Sequence, residues 1–370
     1  MTASRLLRAP RMVARSASVR LGTRGWRDRS RLFVLGDDLG WALDDDAAYV
    51  SQVARSAPRL QGRERTLRSA RRQVVFHTSH FAALDPVWTG SSHRLGLAYL
   101  HGRPGTPGYP EFDRAFDALR RDPARFRRVH VSHREMEELV LSAGVEAERV
   151  HRIPIGIELD RFQPADPELR RAARQTLGVP QDAFVIGSFQ KDGVGFGDGL
   201  EPKWVKGPDI LVKALDAARR DIPDLVVLLT GPARGYVRTE LDRRGIPYVH
   251  RMLPTRDALA SAYHGLDAYV VASRQEGGPK GVLESMATGV PLVTTRVGQA
   301  PDLVVDGGTG LLADVEDAEG LAAGLVRIHD DAGLRERLRE AGRLTAAENS
   351  YARLAPRWEA LLEGFAERDG

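Results

Sequence analysis

The chain has 370 residues, no cysteine, 54 Lys+Arg against 50 Asp+Glu, and a formal net charge of +4. That length suits two domains, each with its own core. The lack of cysteine excludes disulfides and thiolate metal sites, and no apolar run reaches the ~20 residues needed to cross a bilayer.

Residues 1–30 read as a basic flexible tail, with Arg5, Arg8, Arg11, Arg15, Arg20, Arg24, Arg27 and Arg29 against Asp28. Pro10 interrupts the helical spacing an interfacial helix would need. From residue 31, short apolar runs alternate with helical patterns, the signature of a doubly wound parallel sheet, with strands expected at 32–35, 74–77, 95–100, 129–131 and 150–153. Gly40, in the loop after the first strand, stands at the carboxyl edge where such sheets bind ligands, close enough to meet a phosphate. Asp44, Asp45 and Asp46 read as acids at a helix N-terminus rather than a metal site, because consecutive side chains diverge. Arg55, Arg59, Arg63, Arg65, Arg68, Arg71 and Arg72 form a basic cluster on or beside the next helix. Residues 1–180 carry 31 Arg against 21 acids, a net +10, and residues 181–370 a net −6 from 23 basic and 29 acidic residues. The first half thus suits an anionic surface or a phosphate-bearing acceptor. No helix-turn-helix, zinc or aromatic-interleaved basic pattern argues for nucleic acid. His101 follows an apolar strand and opens a Gly/Pro-rich loop, which reads either as a satisfied polar residue or as a ligand-edge imidazole.

Ile153-Pro154-Ile155-Gly156 makes a fixed turn that suits a hinge or a binding loop. The polar segment 163–182 is the expected boundary, giving a domain over 31–170, a second over 171–350, and a last helix over 351–370 that returns to the first. The second domain starts another αβ series, with strands at 184–187, 225–229, 248–251, 268–272 and 291–294. The glycines of 190–199 match neither a Walker A loop nor a dinucleotide fingerprint, which sets aside an NAD-dependent enzyme. Lys206-Gly207 opens a helix over 208–219, and a lysine beside oriented N–H groups stabilises a leaving diphosphate.

The most informative run is Ser273-Arg274-Gln275-Glu276-Gly277-Gly278-Pro279-Lys280-Gly281-Val282-Leu283-Glu284, followed by Met286-Ala287-Thr288-Gly289-Val290-Pro291. A buried strand ends in a Gly-Gly turn, Pro279 opens a helix, and the helix N-terminus suits a diphosphate or sugar hydroxyls. Glu284 can accept from a ribose diol while Glu276 faces the sugar ring. Taken alone, the two acids equally suit helix-dipole and i,i+4 ion-pair roles.

Two glutamates separated by seven residues, followed by Met-Ala-x-Gly-x-Pro and a strand, resemble the donor site of retaining GT-B glycosyltransferases of family 4. Val131-Ser132-His133, Ile153-Pro154 to Pro164, Gly298-Gln299 and Asp306-Gly307-Gly308-Thr309-Gly310 extend the likeness over roughly residues 128–315. The resemblance implies an α/β GT-B fold, two Rossmann-like domains facing across a cleft, with the donor on the second and the acceptor on the first. It implies transfer of a hexose from a UDP- or GDP-linked sugar, with retention and without a metal or other cofactor, to a glycan or glycolipid of the cell envelope. His101, Lys206 and Glu276 are then the catalytic group. Gly40, Ser188, Lys191, Lys206, Arg234, Met252, Leu253, Gly277, Gly278, Pro279, Lys280 and Glu284 bind the donor. Family members often carry Gly-Arg after the first strand of the second domain, and here Gly187-Ser188 stands instead. Lys191, Lys203 and Arg234 are the candidates for the missing cation. A GT-B epimerase would use the same donor elements without an acceptor, and a non-catalytic binding module would hold the donor without turnover. A cytoplasmic place, with peripheral contact at an anionic inner membrane face, completes the expectation.

Overall fold

The computed structural model describes residues 32–36, 42–53, 59–61, 72–195 and 197–365. The basic tail, Gly40 and Arg55, Arg63, Arg65, Arg68 and Arg71 lie outside them. The chain divides into two units: the first ends at Ile153 and resumes at Ala355, and the second is Pro154–Leu354.

In the first unit six parallel strands stand in the order β2-β1-β3-β4-β5-β6: β1 Leu32–Gly36, β2 Arg59–Gln61, β3 Val74–His77, β4 Arg94–Ala98, β5 Phe126–Val131 and β6 Val150–Arg152. Arg59, expected on or beside a helix, lies in the edge strand β2. The triple Asp44-Asp45-Asp46 falls near the start of the helix Ala42–Val53. Central strands β1 and β3 are buried along their whole length, as parallel strands covered on both faces must be.

The second unit repeats the plan with β12-β11-β10-β7-β8-β9, again all parallel. These are β7 Phe184–Ser188, β8 Leu225–Thr230, β9 Tyr248–Arg251, β10 Ala268–Val271, β11 Leu292–Thr295 and β12 Leu311–Ala313. Alternate residues feed two cores. Ile186, Val227, Leu229 and Val270 join one with the helices Pro208–Ala218 and Ala318–Asp330. Val185, Val226, Leu228 and Val271 join the other with Arg256–Tyr263 and Lys280–Ala287. The chain moves outward from β7 to β9, then returns to place β10 against β7, so the strand order reverses between these two. An α/β sheet binds ligands at the carboxyl ends of strands flanking that reversal.

The segment read as a linker is instead anchored in the second unit, which moves the boundary from residue 170 to Ile153. The helix Pro167–Leu177 carries Arg170 and Arg174, each 2.6 Å from a different oxygen of Asp267, and Arg174 also donates to the carbonyls of Gly265 and Ala183. Phe162 is buried beside Tyr263. The last helix, Tyr351–Leu362, belongs to the second unit through Leu354 and to the first from Ala355. No helix among the described residues is long and apolar enough to cross a membrane.

Candidate donor-binding site

Lys206 follows β7 and Glu276 follows β10, the two strands at the reversal. Their approach is fixed by backbone: the Val205 carbonyl accepts from Arg274 N at 2.9 Å and Gln275 N at 3.0 Å. Gly207 adopts φ +60°, and a Cβ there would stand 1.9 Å from the Ala272 carbonyl oxygen. Arg274 clamps the same two segments, donating to the Trp204 carbonyl and to both oxygens of Asp209 at 2.7 Å, with a further ion pair to Glu316. Those carboxylates raise the Arg274 pKa, Asp209 most of all.

Held this way, Lys206 Nζ donates to Glu276 Oε1 at 2.6 Å and Oε2 at 2.7 Å. Ser273 Oγ lies 2.8 Å from Glu276 Oε1 and 3.1 Å from Gln190 Oε1, and Gln190 Nε2 donates to the Lys206 carbonyl at 2.9 Å. The ammonium keeps partial exposure while the carboxylate is nearly buried. Sequence reasoning named Lys206 and Glu276 but gave Ser273 and Gln190 no role, although both stand inside the motifs it quoted.

Glu284 lies in the helix Lys280–Ala287 and is only 3% exposed. Its Oε2 accepts from the Tyr263 hydroxyl at 2.9 Å, and Arg256 lies 3.1 Å from Oε1. Burial and the nearby carboxylate raise the Tyr263 pKa well above 10, so this phenol remains a donor. Pro279, expected as the first helical residue, is the residue before it, with φ −62° and ψ 111°. Gly278 packs so closely that a Cβ would stand 2.7 Å from Ile155 Cδ1 and 2.8 Å from Gln299 Oε1. Gln299 in turn accepts from Ile155 N at 2.8 Å, which ties the Ile-Pro-Ile-Gly turn to the Gly277-Gly278 loop.

Residues 201–345 match the sequence model of the family described as Glycosyl transferases group 1. That stretch is thus similar to group 1 glycosyl transferases over about two fifths of the chain. Curated relatives include the D-inositol 3-phosphate glycosyltransferases of Saccharomonospora viridis, 32% identical over 257 residues, and Actinosynnema mirum, 34% over 228. These alignments cover 63% and 55% of this chain and 56% and 52% of the relatives, so the chain spans about half the length of the curated relatives it matches. Among solved structures, Anabaena HepE in complex with UDP and glucose superposes with a TM-score of 0.72 at 15% identity, over 90% of this chain and 100% of that one. Sucrose-phosphate synthase from Thermosynechococcus elongatus reaches 0.64 at 21%, over 79% and 73%. Both are likenesses of fold, and the fold is GT-B, as the sequence led us to expect.

The matched stretch contains Lys206, Glu276, Gly277, Gly278, Pro279, Lys280 and Glu284. It also contains Arg234, whose guanidinium donates to the Ser188 carbonyl at 2.6 Å and lies 3.3 Å from Ser188 Oγ. Arg234 therefore reaches the end of β7, where the resemblance led us to expect an arginine and Ser188 stands. Its charge is balanced by Asp192 Oδ2 at 3.0 Å, with both side chains fully buried. Burial raises the Asp192 pKa while Arg234 opposes that shift. Asp192 comes from the loop after β7, whose carbonyls at Asp198 and Gly199 accept from Gly235 N and Tyr236 N, capping the helix Gly235–Arg244. The Lys191 ammonium has its pKa lowered by burial. Met252 is exposed and Leu253 leans on the second core of its unit.

His101 belongs to the first unit, beyond the end of β4. It sits among aromatic rings, with ring centroids 5.6 Å from His80, 5.7 Å from Phe81 and 5.8 Å from Phe112. His80 stacks on Tyr99 at 4.1 Å, and burial holds its pKa well below 6.5.

Proposed function

We propose that this chain is a hexosyltransferase that moves a sugar from a UDP- or GDP-linked donor to a glycan or glycolipid acceptor. The observation that carries the reading is the Lys206 ammonium, held at the reversal of strand order against a carboxylate that follows the neighbouring strand. When the anomeric C–O bond breaks, the electron pair goes to the diphosphate, and a fixed ammonium stabilises that charge more in the transition state than in the bound donor. Glu276 is tied by Lys206 and Ser273 in a place suited to cationic character on the sugar ring, and Glu284 suits the ribose. His101 orients the sugar in this reading, and transfer retains anomeric configuration without a metal. The relatives act on D-inositol 3-phosphate by name, and the HepE structure holds UDP and glucose. The first supports glycosyl transfer and the second a nucleotide-sugar donor. A peripheral cytoplasmic enzyme of envelope glycan synthesis fits this chemistry and the basic first half.

A panel of UDP, GDP and their hexose conjugates tests the reading by thermal unfolding, since a ligand that binds only the native state raises the melting temperature. We expect one nucleotide series to raise it and to be released from its sugar when an acceptor extract is added. A panel without any shift discards the proposal; a shift with neither release nor transfer turns the chain into a binding protein.

A further inference from the structure

We propose that Ser273 is a positioning residue that keeps the Glu276 carboxylate in place when a donor diphosphate draws Lys206 away from it. The inference rests on the nucleotide-sugar reading above and names the group that holds the carboxylate during turnover.

Glu276 has two holders: Lys206 Nζ donates to both of its oxygens, and the Ser273 hydroxyl donates to Oε1 at 2.8 Å. A diphosphate that takes up the ammonium withdraws the first and leaves the second. Ser273 suits that part because its own place does not depend on the lysine side chain. It is fully buried just beyond β10, and its carbonyl accepts from the buried Thr295 hydroxyl at 2.7 Å. The two N–H groups that follow it, of Arg274 and Gln275, both donate to the Val205 carbonyl. A hydroxyl carries one proton, yet Ser273 Oγ faces two acceptors, Glu276 Oε1 and, at 3.1 Å, Gln190 Oε1. The Gln190 amide is not free to turn and become a donor, because its Nε2 already donates to the Lys206 carbonyl at 2.9 Å and the reversed amide would set two carbonyl oxygens together. The proton therefore goes to the nearer and charged acceptor, Glu276. While Lys206 sits on the carboxylate, the Ser273 bond is one of three. Once the ammonium has turned to phosphate, it is the bond that remains. Without it a nearly buried carboxylate would lack a donor and swing from its place. Ser273 thus acts on the state in which the sugar bond breaks, not on recognition of the nucleotide.

The test uses the full chain as wild type, Ser273→Ala and Ser273→Thr. Calorimetry gives the Kd of UDP and of GDP, and release of the nucleoside diphosphate from their hexose conjugates, with an acceptor extract present, gives kcat. For the nucleotide that binds, Ser273→Ala is expected to lower kcat about tenfold or more, the scale of a lost charge-assisted hydrogen bond, and to leave Kd within about twofold. Ser273→Thr keeps the hydroxyl and should recover part of the loss. A merely structural serine would move Kd and kcat together. Ser273→Ala that keeps kcat within about twofold or raises Kd as much as it lowers kcat overturns the assignment of Ser273 alone, as does Ser273→Thr that does no better than Ser273→Ala. Wild type that binds neither UDP nor GDP, or binds one without releasing it from a sugar, overturns the hexosyltransferase reading beneath it.

Discussion

On the proposed reading a donor diphosphate competes with Glu276 for Lys206, because the ammonium already donates to both carboxylate oxygens. Such competition favours whichever state holds more negative charge beside Nζ, which is the transition state. Replacing Lys206 with Ala should therefore lower turnover at least about a hundredfold, a barrier change of a few kcal/mol, while unfolding remains cooperative. Release of nucleoside diphosphate from the donor sugar measures it, and near-normal release would remove Lys206 from the mechanism. Both residues were legible in the sequence because each sits in a short motif beside a strand end. Arg256 and Tyr263 were not, since their tie to Glu284 spans more than twenty residues and leaves no local pattern. Arg234 was one of three candidates for the missing cation. Only the fold shows that its guanidinium reaches Ser188 and that Asp192 balances it.

At the scale of elements, the turn Lys206-Gly207 decides where the ammonium goes. Gly207 combines a left-handed φ with backbone approach too close for any Cβ. Gly207→Ala should destabilise the second unit by about 2–4 kcal/mol and also raise the apparent Kd for nucleotide, because relief of the clash displaces Val205 and Lys206. Urea unfolding and calorimetry measure the two effects, and an unchanged midpoint would contradict the packing. Apolar strands buried on both faces were readable to within a residue or two, as at Val74–His77 and Ala268–Val271. The edge strands β2 and β12 escaped, being three residues long and, for Arg59-Leu60-Gln61, largely polar. The boundary was misplaced for a related reason: the polar surface of Pro167–Leu177 resembles a linker until Arg170 and Arg174 are seen on Asp267.

Across the whole molecule, stability depends on pH through buried imidazoles of the first unit. Burial lowers the His77 pKa to about 3 and that of His130 to about 4, with the nearby His93 adding to the first and the hydrogen bond that His130 donates to the Ile153 carbonyl tempering the second. Unfolded histidine takes up its proton near pH 6.5. Between that value and the native ones the unfolded chain holds more protons, so stability falls on acidification by about 1.4 kcal/mol per pH unit for each group. It is unaffected by these groups above about pH 6.5. His130→Asn should flatten the fall between about pH 6.5 and 4 in urea titrations, after its own cost at neutral pH is subtracted. Parallel curves would rule out His130 as a source.

The helix Tyr351–Leu362 changes allegiance in mid-course, and its second half carries Trp358 onto Phe76 and His130 while Arg128 and Arg94 grip the carbonyls of Leu361 and Phe365. The first unit is thus finished by residues that come after the whole of the second in chain order. A gene split at Pro154 would yield one fragment missing a wall of its hydrophobic interior and another trailing an aromatic plug with nothing to fill.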